Sequence, residues 1–207
     1  MDMHSTMDAV KKHFPQREYA AIIFDCDGTL TDSMPVHYRA WQKTMSQYGI
    51  DFSEDRFYEM AGMPTDRIIE QLASEQSISI DAATAAVEKE TAFLELLPML
   101  EPIEVILEVA AHHSGQLPMA VASGGIRDVI MKQLEKVGCS NWFDAIVTAE
   151  DTQRHKPFPD VFLEAARQLQ VEPSRCLVYE DSDLGLQAAS AAGMDAIDVR
   201  HHFKSPI

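Results

Sequence analysis

The sequence predicts an α/β fold: a doubly wound, Rossmann-like parallel sheet core with an all-helical cap domain inserted after its first strand. Three observations carry this expectation. Short apolar runs recur along the chain and stop at polar or glycine residues, and from Glu101 onward they alternate with segments of helical period. Between Ser33 and Leu97 the period is helical throughout, with no strand pattern. The core is therefore expected over residues 1–32 and 99–207, with the cap over 33–98.

Taken in order, residues 1–17 are polar and suggest a short helix or a loose arm. Ala21 to Phe24 form a continuous apolar run, which suits a parallel strand covered on both faces, and it leads into Asp25 and Asp27 before Gly28. Residues two apart on a strand point the same way, so both acids can approach one reacting centre. In the insert, Trp41, Met45 and Tyr48 share a face before Gly49. Ile68, Ile69 and Leu72 share another, and Ala83, Val87, Leu94 and Leu97 a third before Pro98.

Beyond Glu101 a helix through Ile103, Ile106, Leu107 and Ala110 precedes the strand PMAVAS, and a second through Ile126, Val129, Ile130, Leu134 and Val137 stops at Gly138. AIVTAE, CLVYED and AIDVR read as strands, separated by helices from Pro159 to Leu169 and from Leu184 to Ala192. The segment after His201 is expected to fray.

Polar groups recur where strands stop. Asp25 and Asp27 follow the first, Ser123 with Gly124 and Gly125 the second, Lys156-Pro157 the loop after the third, and Glu180 with Asp181 the fourth. Parallel strands present their C-termini at one edge, so these groups converge. Singly, each has a plainer reading: an acidic turn for Asp25 and Asp27, a helix cap for Ser123, a solvated loop lysine for Lys156, a favourable N-terminal charge pair for Glu180 and Asp181.

With 207 residues, 46% of them apolar, the chain can bury a core and a smaller inserted unit. Its 17 basic against 33 acidic residues, a net charge of −16, disfavour nucleic acid and anionic membranes. Any anion site must then be made locally positive. Cys26, Cys139 and Cys176 form no CxxC pair, which argues for reduced thiols. Cys26 reads as a small core residue, with a redox role as the alternative. No secretory h-region or membrane-length run is present, so a cytoplasmic protein is expected.

DCDGT from Asp25, Ser123, KPFPD from Lys156 and EDSDLGLQAASAAGM from Glu180 resemble, in order, the four signature motifs of the haloacid dehalogenase-type hydrolases. The insert directly after the first motif resembles the β-phosphoglucomutase-like branch. The resemblance implies Asp25 as the nucleophile that becomes an aspartyl phosphate and Asp27 as the acid/base, protonated at first while Asp25 is ionised. It implies Mg²⁺ held by the Asp25 carboxylate, the Asp27 main-chain carbonyl and Asp181, with Glu180 nearby or joined through water. Ser123 and the Gly124 amide would receive the phosphoryl group, and Lys156 would neutralise it.

In the cap, His37 resembles a hinge-proximal histidine that touches substrate, although a partly buried helix histidine fits as well. The turn Ala61 to Ile68 occupies the place of a substrate loop. Mutases of this branch hold a second phosphate with an arginine there, and Thr65 stands at that place here. Arg67, Lys89 or Arg127 could still contact a phosphate. The resemblance implies a Mg²⁺-dependent phosphatase of small phosphorylated sugars, of the fructose-1-phosphate or 6-phosphogluconate type. The alternatives are a sugar-phosphate mutase or a non-catalytic sugar-phosphate sensor. No large unexplained apolar stripe points to an obligate dimer, so a monomer is expected.

Overall fold

The structure, a computed structural model, describes residues 18–201 apart from Gly62. The expectations for the N-terminal arm and for the tail beyond residue 201 lie outside these residues. Strands β1 (Ala21–Phe24), β2 (Met119–Ala122), β3 (Ala145–Val147), β4 (Cys176–Glu180) and β5 (Asp195–Asp198) form one parallel sheet in the order β3-β2-β1-β4-β5. Eight α-helices accompany it among the described residues. Four are inserted between β1 and β2: α1 (Met34–Gln47), α2 (Glu54–Glu59), α3 (Thr65–Glu75) and α4 (Ala82–Leu96). The others are α5 (Glu104–His113), α6 (Arg127–Lys136), α7 (Asp160–Leu169) and α8 (Asp183–Ala191).

Strand periodicity divides the core into two layers. Ala21 and Ile23 face one side with Ala120, Val178 and the apolar stripes of α7 and α8, including Phe162 and Ala188. Ile22 and Phe24 face the other side with Val121 and Tyr179, against Ile106 of α5 and Ile130 and Leu134 of α6. Phe24 stacks on Tyr179 at 5.0 Å between ring centroids. Cys26, fully buried, points into this second layer, as a small core residue would. All three cysteines are free and buried.

The inserted helices have their own apolar cluster around Trp41, Met45, Phe57, Ile69 and Leu72. The sequence did not announce α2, because six residues are too few for a helical period to register. It starts where Ser53 Oγ accepts from the Arg56 amide, and it is anchored by buried Phe57. The face expected for α4 is corrected. Ala83 and Val87 are exposed, Val87 by 68%, and the helix instead buries Ala85, Lys89, Ala92 and Phe93. A buried lysine inside the inward stripe hid that register.

Two adjacent segments tie the insert to the sheet. The Asp32 amide donates to the Glu101 carbonyl at 2.9 Å, and the Ile103 amide to the Leu30 carbonyl at 3.1 Å. Phe93 and Ala92 of α4 also pack on Val129 of α6, beside Val36 and Ala40 of α1. No helix among the described residues is long and apolar enough to cross a membrane. The chain runs outward from β1 through β2 to β3, then returns to β4 on the other side of β1. That reversal opens a crevice at the carboxyl ends of the strands, which is where parallel sheets bind ligands.

Candidate active site

The predicted strand-end groups meet at this crevice. Asp25 directly follows β1, and its amide donates to the Tyr179 carbonyl of β4 at 2.9 Å. Lys156, carried in by the loop after β3, donates to Asp25 Oδ1 at 2.7 Å and to Glu180 Oε2 at 2.6 Å. All three side chains are buried. Glu180 Oε1 accepts from the amides of Asp181 and Ser182 and from Ser182 Oγ, so both of its oxygens are engaged.

Carboxylate oxygens of Asp25, Glu180 and Asp181 lie within 4.8 Å of one another. Burial, then the charge of Glu180, pushes Asp25 up to about 7, although Lys156 pulls it down. Burial and the charges of Glu180 and Asp25 drive Asp181 well above the usual carboxylate value. For Lys156, burial works against the charged form, but Asp25 and Glu180 outweigh it and raise its pKa. One ammonium group thus faces three carboxylates, two of them buried and the third, Asp181, half-buried. Hard oxygen donors with a shortage of positive charge fit a divalent cation such as Mg²⁺. The Glu180 oxygens are already committed, so Asp25 and Asp181 are the side chains best placed to hold it.

Asp27 sits in a different environment. Its Oδ1 accepts from Ser33 Oγ at 2.7 Å, Gln133 Nε2 at 2.8 Å and His37 Nε2 at 2.9 Å. Lys89 Nζ, a donor only, lies 2.9 Å from His37 Nδ1, which makes His37 the neutral tautomer with its proton on Nε2. Burial, then the charge of Lys89, lowers the His37 pKa and keeps the ring neutral. Burial favours a protonated Asp27, yet the His37, Gln133 and Ser33 contacts hold its carboxyl well below the usual range. Without a cation, the protein's own groups therefore favour a proton on Asp25 and charge on Asp27, and the order expected from the sequence requires a cation beside Asp25. With Oδ1 taken three times, Oδ2 is the oxygen of Asp27 that remains for chemistry.

Ser123 is buried at the end of β2, and its Oγ accepts from the Gly125 amide at 3.0 Å. Ser123, Gly124 and Gly125 line the same cavity as Asp25, Asp27 and Lys156. His37, Thr65 and Lys89 line its insert side. Arg67 and Arg127 do not join them. Arg67 is exposed and pairs with Glu70 at 2.8 Å, and Arg127 turns outward to Asp151 at 2.5 Å. Both belong to neighbourhoods rich in acid, which claim a guanidinium before the cavity can.

Sequence reasoning missed Ser33, Gln133, Glu90 and Gly185. Gln133 had a visible signal: it falls on the buried stripe of α6 with Val129, Ile130 and Leu134, and a buried amide needs partners. It finds Asp27 on one side and Thr31 Oγ1 at 2.7 Å on the other. Two glycines leave room for the acids. Gly28, at φ +79°, packs so closely that a Cβ there would land in the Asp181 carboxylate, and a Cβ on Gly185 would land in that of Glu180. In Gly185→Ala the helix preference of alanine, about 1 kcal/mol, opposes a clash with a carboxylate pinned by four hydrogen bonds. The clash should win, with a net loss of about 1–3 kcal/mol in a denaturant melt, together with weakened activity.

Residues 22–199 match the family described as haloacid dehalogenase-like hydrolase. The chain is 39% identical over 183 residues to fructose-1-phosphate phosphatase YqaB of Escherichia coli K12, covering 88% of this chain and 97% of that protein. It is 27% identical to the β-phosphoglucomutase of Bacillus subtilis, covering 86% and 82%. Among solved structures it resembles a mutant of CbbY from Rhodobacter sphaeroides in complex with xylulose-(1,5)bisphosphate. There the TM-score is 0.79 at 25% identity, over 86% of this chain and 84% of that one.

Proposed function

Because the chain belongs to the haloacid dehalogenase-like hydrolases, we propose that it is a Mg²⁺-dependent phosphatase of small sugar phosphates, of the fructose-1-phosphate or 6-phosphogluconate type. The observation that carries this reading is Lys156 bridging Asp25 and Glu180 at the strand ends, beside Asp181. An Asp25 carboxylate oxygen attacks phosphorus, and the bond from phosphorus to the sugar oxygen breaks. The negative charge of the bound phosphoryl group would raise Asp27 from its low resting value, so that Oδ2 takes up a proton, which Asp27 gives to the departing oxygen. Asp27 then takes a proton from the water that attacks phosphorus, the bond to Asp25 breaks, and inorganic phosphate leaves. Lys156, the Ser123 hydroxyl and the Gly124 amide steady the non-bridging oxygens.

Mg²⁺ would be held by the carboxylates of Asp25 and Asp181 and the main-chain carbonyl of Asp27, with Glu180 beside them. It would supply positive charge against the phosphoryl group and favour an ionised Asp25. Residues 33–98 serve as a cap over the core formed by 1–32 and 99–207, keeping bulk solvent out while leaving room for the one water that attacks phosphorus. A negative surface keeps nucleic acid and anionic membranes away, and the reading is of a cytoplasmic monomer.

The rival within the family is a sugar-phosphate mutase. Thr65 in place of a phosphate-holding arginine, with Arg67 and Arg127 both directed elsewhere, favours hydrolysis. Incubation with hexose phosphates and Mg²⁺ should release phosphate and free sugar, and EDTA should cut the rate by at least about 10²-fold. Conversion of β-glucose-1-phosphate to glucose-6-phosphate, given a trace of bisphosphate, would favour the mutase. Tight binding without turnover would favour a sensor.

A further inference from the structure

The insert side of the cavity holds an ion pair that the chemistry at phosphorus does not use. Lys89, 3% exposed, donates to Glu90 Oε1 at 3.0 Å as well as lying against His37, and its ammonium sits 5.3 Å from the Trp41 ring centroid. Thr65 Oγ1 donates to the same Glu90 oxygen at 2.9 Å. Oε1 is thereby doubly engaged, and Oε2 remains as an acceptor on a side chain that lines the cavity and is 16% exposed. Thr65 joins from the first residue of α3 and Glu90 from the middle of α4, so two elements fix the carboxylate.

The charge of Lys89 is thus matched by Glu90 before any ligand arrives. Among the described residues the cavity is lined by five carboxylates and two ammonium groups, with no guanidinium, a balance of −3 when all are charged. Lys156, the other ammonium, is committed to Asp25 and Glu180 at the phosphoryl end. A ligand with an anion at its far end would have to displace Glu90 from Lys89 or rest against the Glu90 carboxylate. A hydroxyl meets no such conflict, since it can donate to Oε2 or to Thr65 Oγ1, whose own proton is given to Glu90.

We propose that Thr65 and Glu90 are specificity-determining residues that select phosphate monoesters whose far end is neutral and hydroxylated, and reject those bearing a second anionic group there. This rests on the phosphatase reading above and narrows it: fructose-1-phosphate belongs to the accepted class and 6-phosphogluconate to the rejected one. The far end of the substrate decides, while the phosphoryl end is common to both.

Glucitol-6-phosphate and 6-phosphogluconate form a matched pair, differing in a hydroxymethyl group against a carboxylate at C1. The parent chain with Mg²⁺ should show kcat/KM at least about tenfold higher for glucitol-6-phosphate. Glu90→Gln should bring the ratio to within about threefold, chiefly through KM for 6-phosphogluconate, whereas Glu90→Asp should keep the preference. A parent ratio near one, or a ratio unchanged in Glu90→Gln, would overturn the inference. Failure of the phosphatase reading looks different: no phosphate is released from either ester or from p-nitrophenyl phosphate. In that case the dissociation constants of the two esters, measured on Asp25→Asn and Asp25→Asn/Glu90→Gln, still decide the inference by the same ratios.

Discussion

Asp25→Asn is expected to lower phosphate release from any sugar phosphate by at least about 10³-fold while leaving the protein folded. An amide oxygen is too weak a nucleophile to form the aspartyl phosphate, yet it can still accept from Lys156 as Asp25 Oδ1 does at 2.7 Å. Stability should hold or rise. Burial and the neighbouring Glu180 push Asp25 up to about 7, so the folded state favours its protonated form. A carboxyl raised in this way contributes stability that is complete below its unfolded pKa and is lost as pH climbs through about 7. Asparagine, always neutral, has nothing to lose in that window. Melting curves in EDTA at pH 7.5 should therefore place the variant at or above the parent. A variant that melts normally and hydrolyses esters as fast as the parent would end the nucleophilic role.

The sequence made the sheet and its strand ends legible for a physical reason. Fully buried parallel strands are continuous apolar runs, and the chain must turn where Asp25, Ser123 and Glu180 stand, so composition changes abruptly there. Lys156 could be placed through the resemblance but not through periodicity, because a loop brings it 131 positions along the chain to Asp25. The insert was harder. Lys89 occupies an inward position on α4 that a hydrophobicity pattern assigns to solvent, and its burial makes sense only once His37, Glu90 and Trp41 are seen around it. Ser33 and Gln133 were hidden for a related reason: their value lies in converging on one oxygen of Asp27 from different elements. Charge balance around Asp25 and Asp27 likewise emerges from three-dimensional neighbours: burial and Glu180 raise Asp25, while His37, Gln133 and Ser33 lower Asp27.

Lys156→Met should produce the largest loss of stability together with a loss of activity. The ammonium is buried and hydrogen-bonded to two carboxylates, with a third, Asp181, close by. Methionine fills similar space but leaves Asp25 and Glu180 uncompensated, and stripping one partner from a buried ion pair costs about 3–5 kcal/mol. For a chain of this size that corresponds to a fall of roughly 10 °C in Tm. The direction with pH follows from the shifts. Lys156 is raised, so its contribution is fully present at neutral pH, and its pull on Asp25 lowers that carboxyl. The deficit should shrink as pH falls and the carboxylates take up protons. Adding Glu180→Gln should recover part of the stability at pH 7.5, since glutamine keeps an acceptor for the Asp181 and Ser182 amides without the unpaired charge. Activity should not recover with it, because the phosphoryl group still lacks its cation, and kcat should stay about 10²–10³-fold down. A single variant as stable as the parent at pH 7.5 would mean that the three carboxylates are already neutral there, and the charge balance drawn for the site would have to be redrawn.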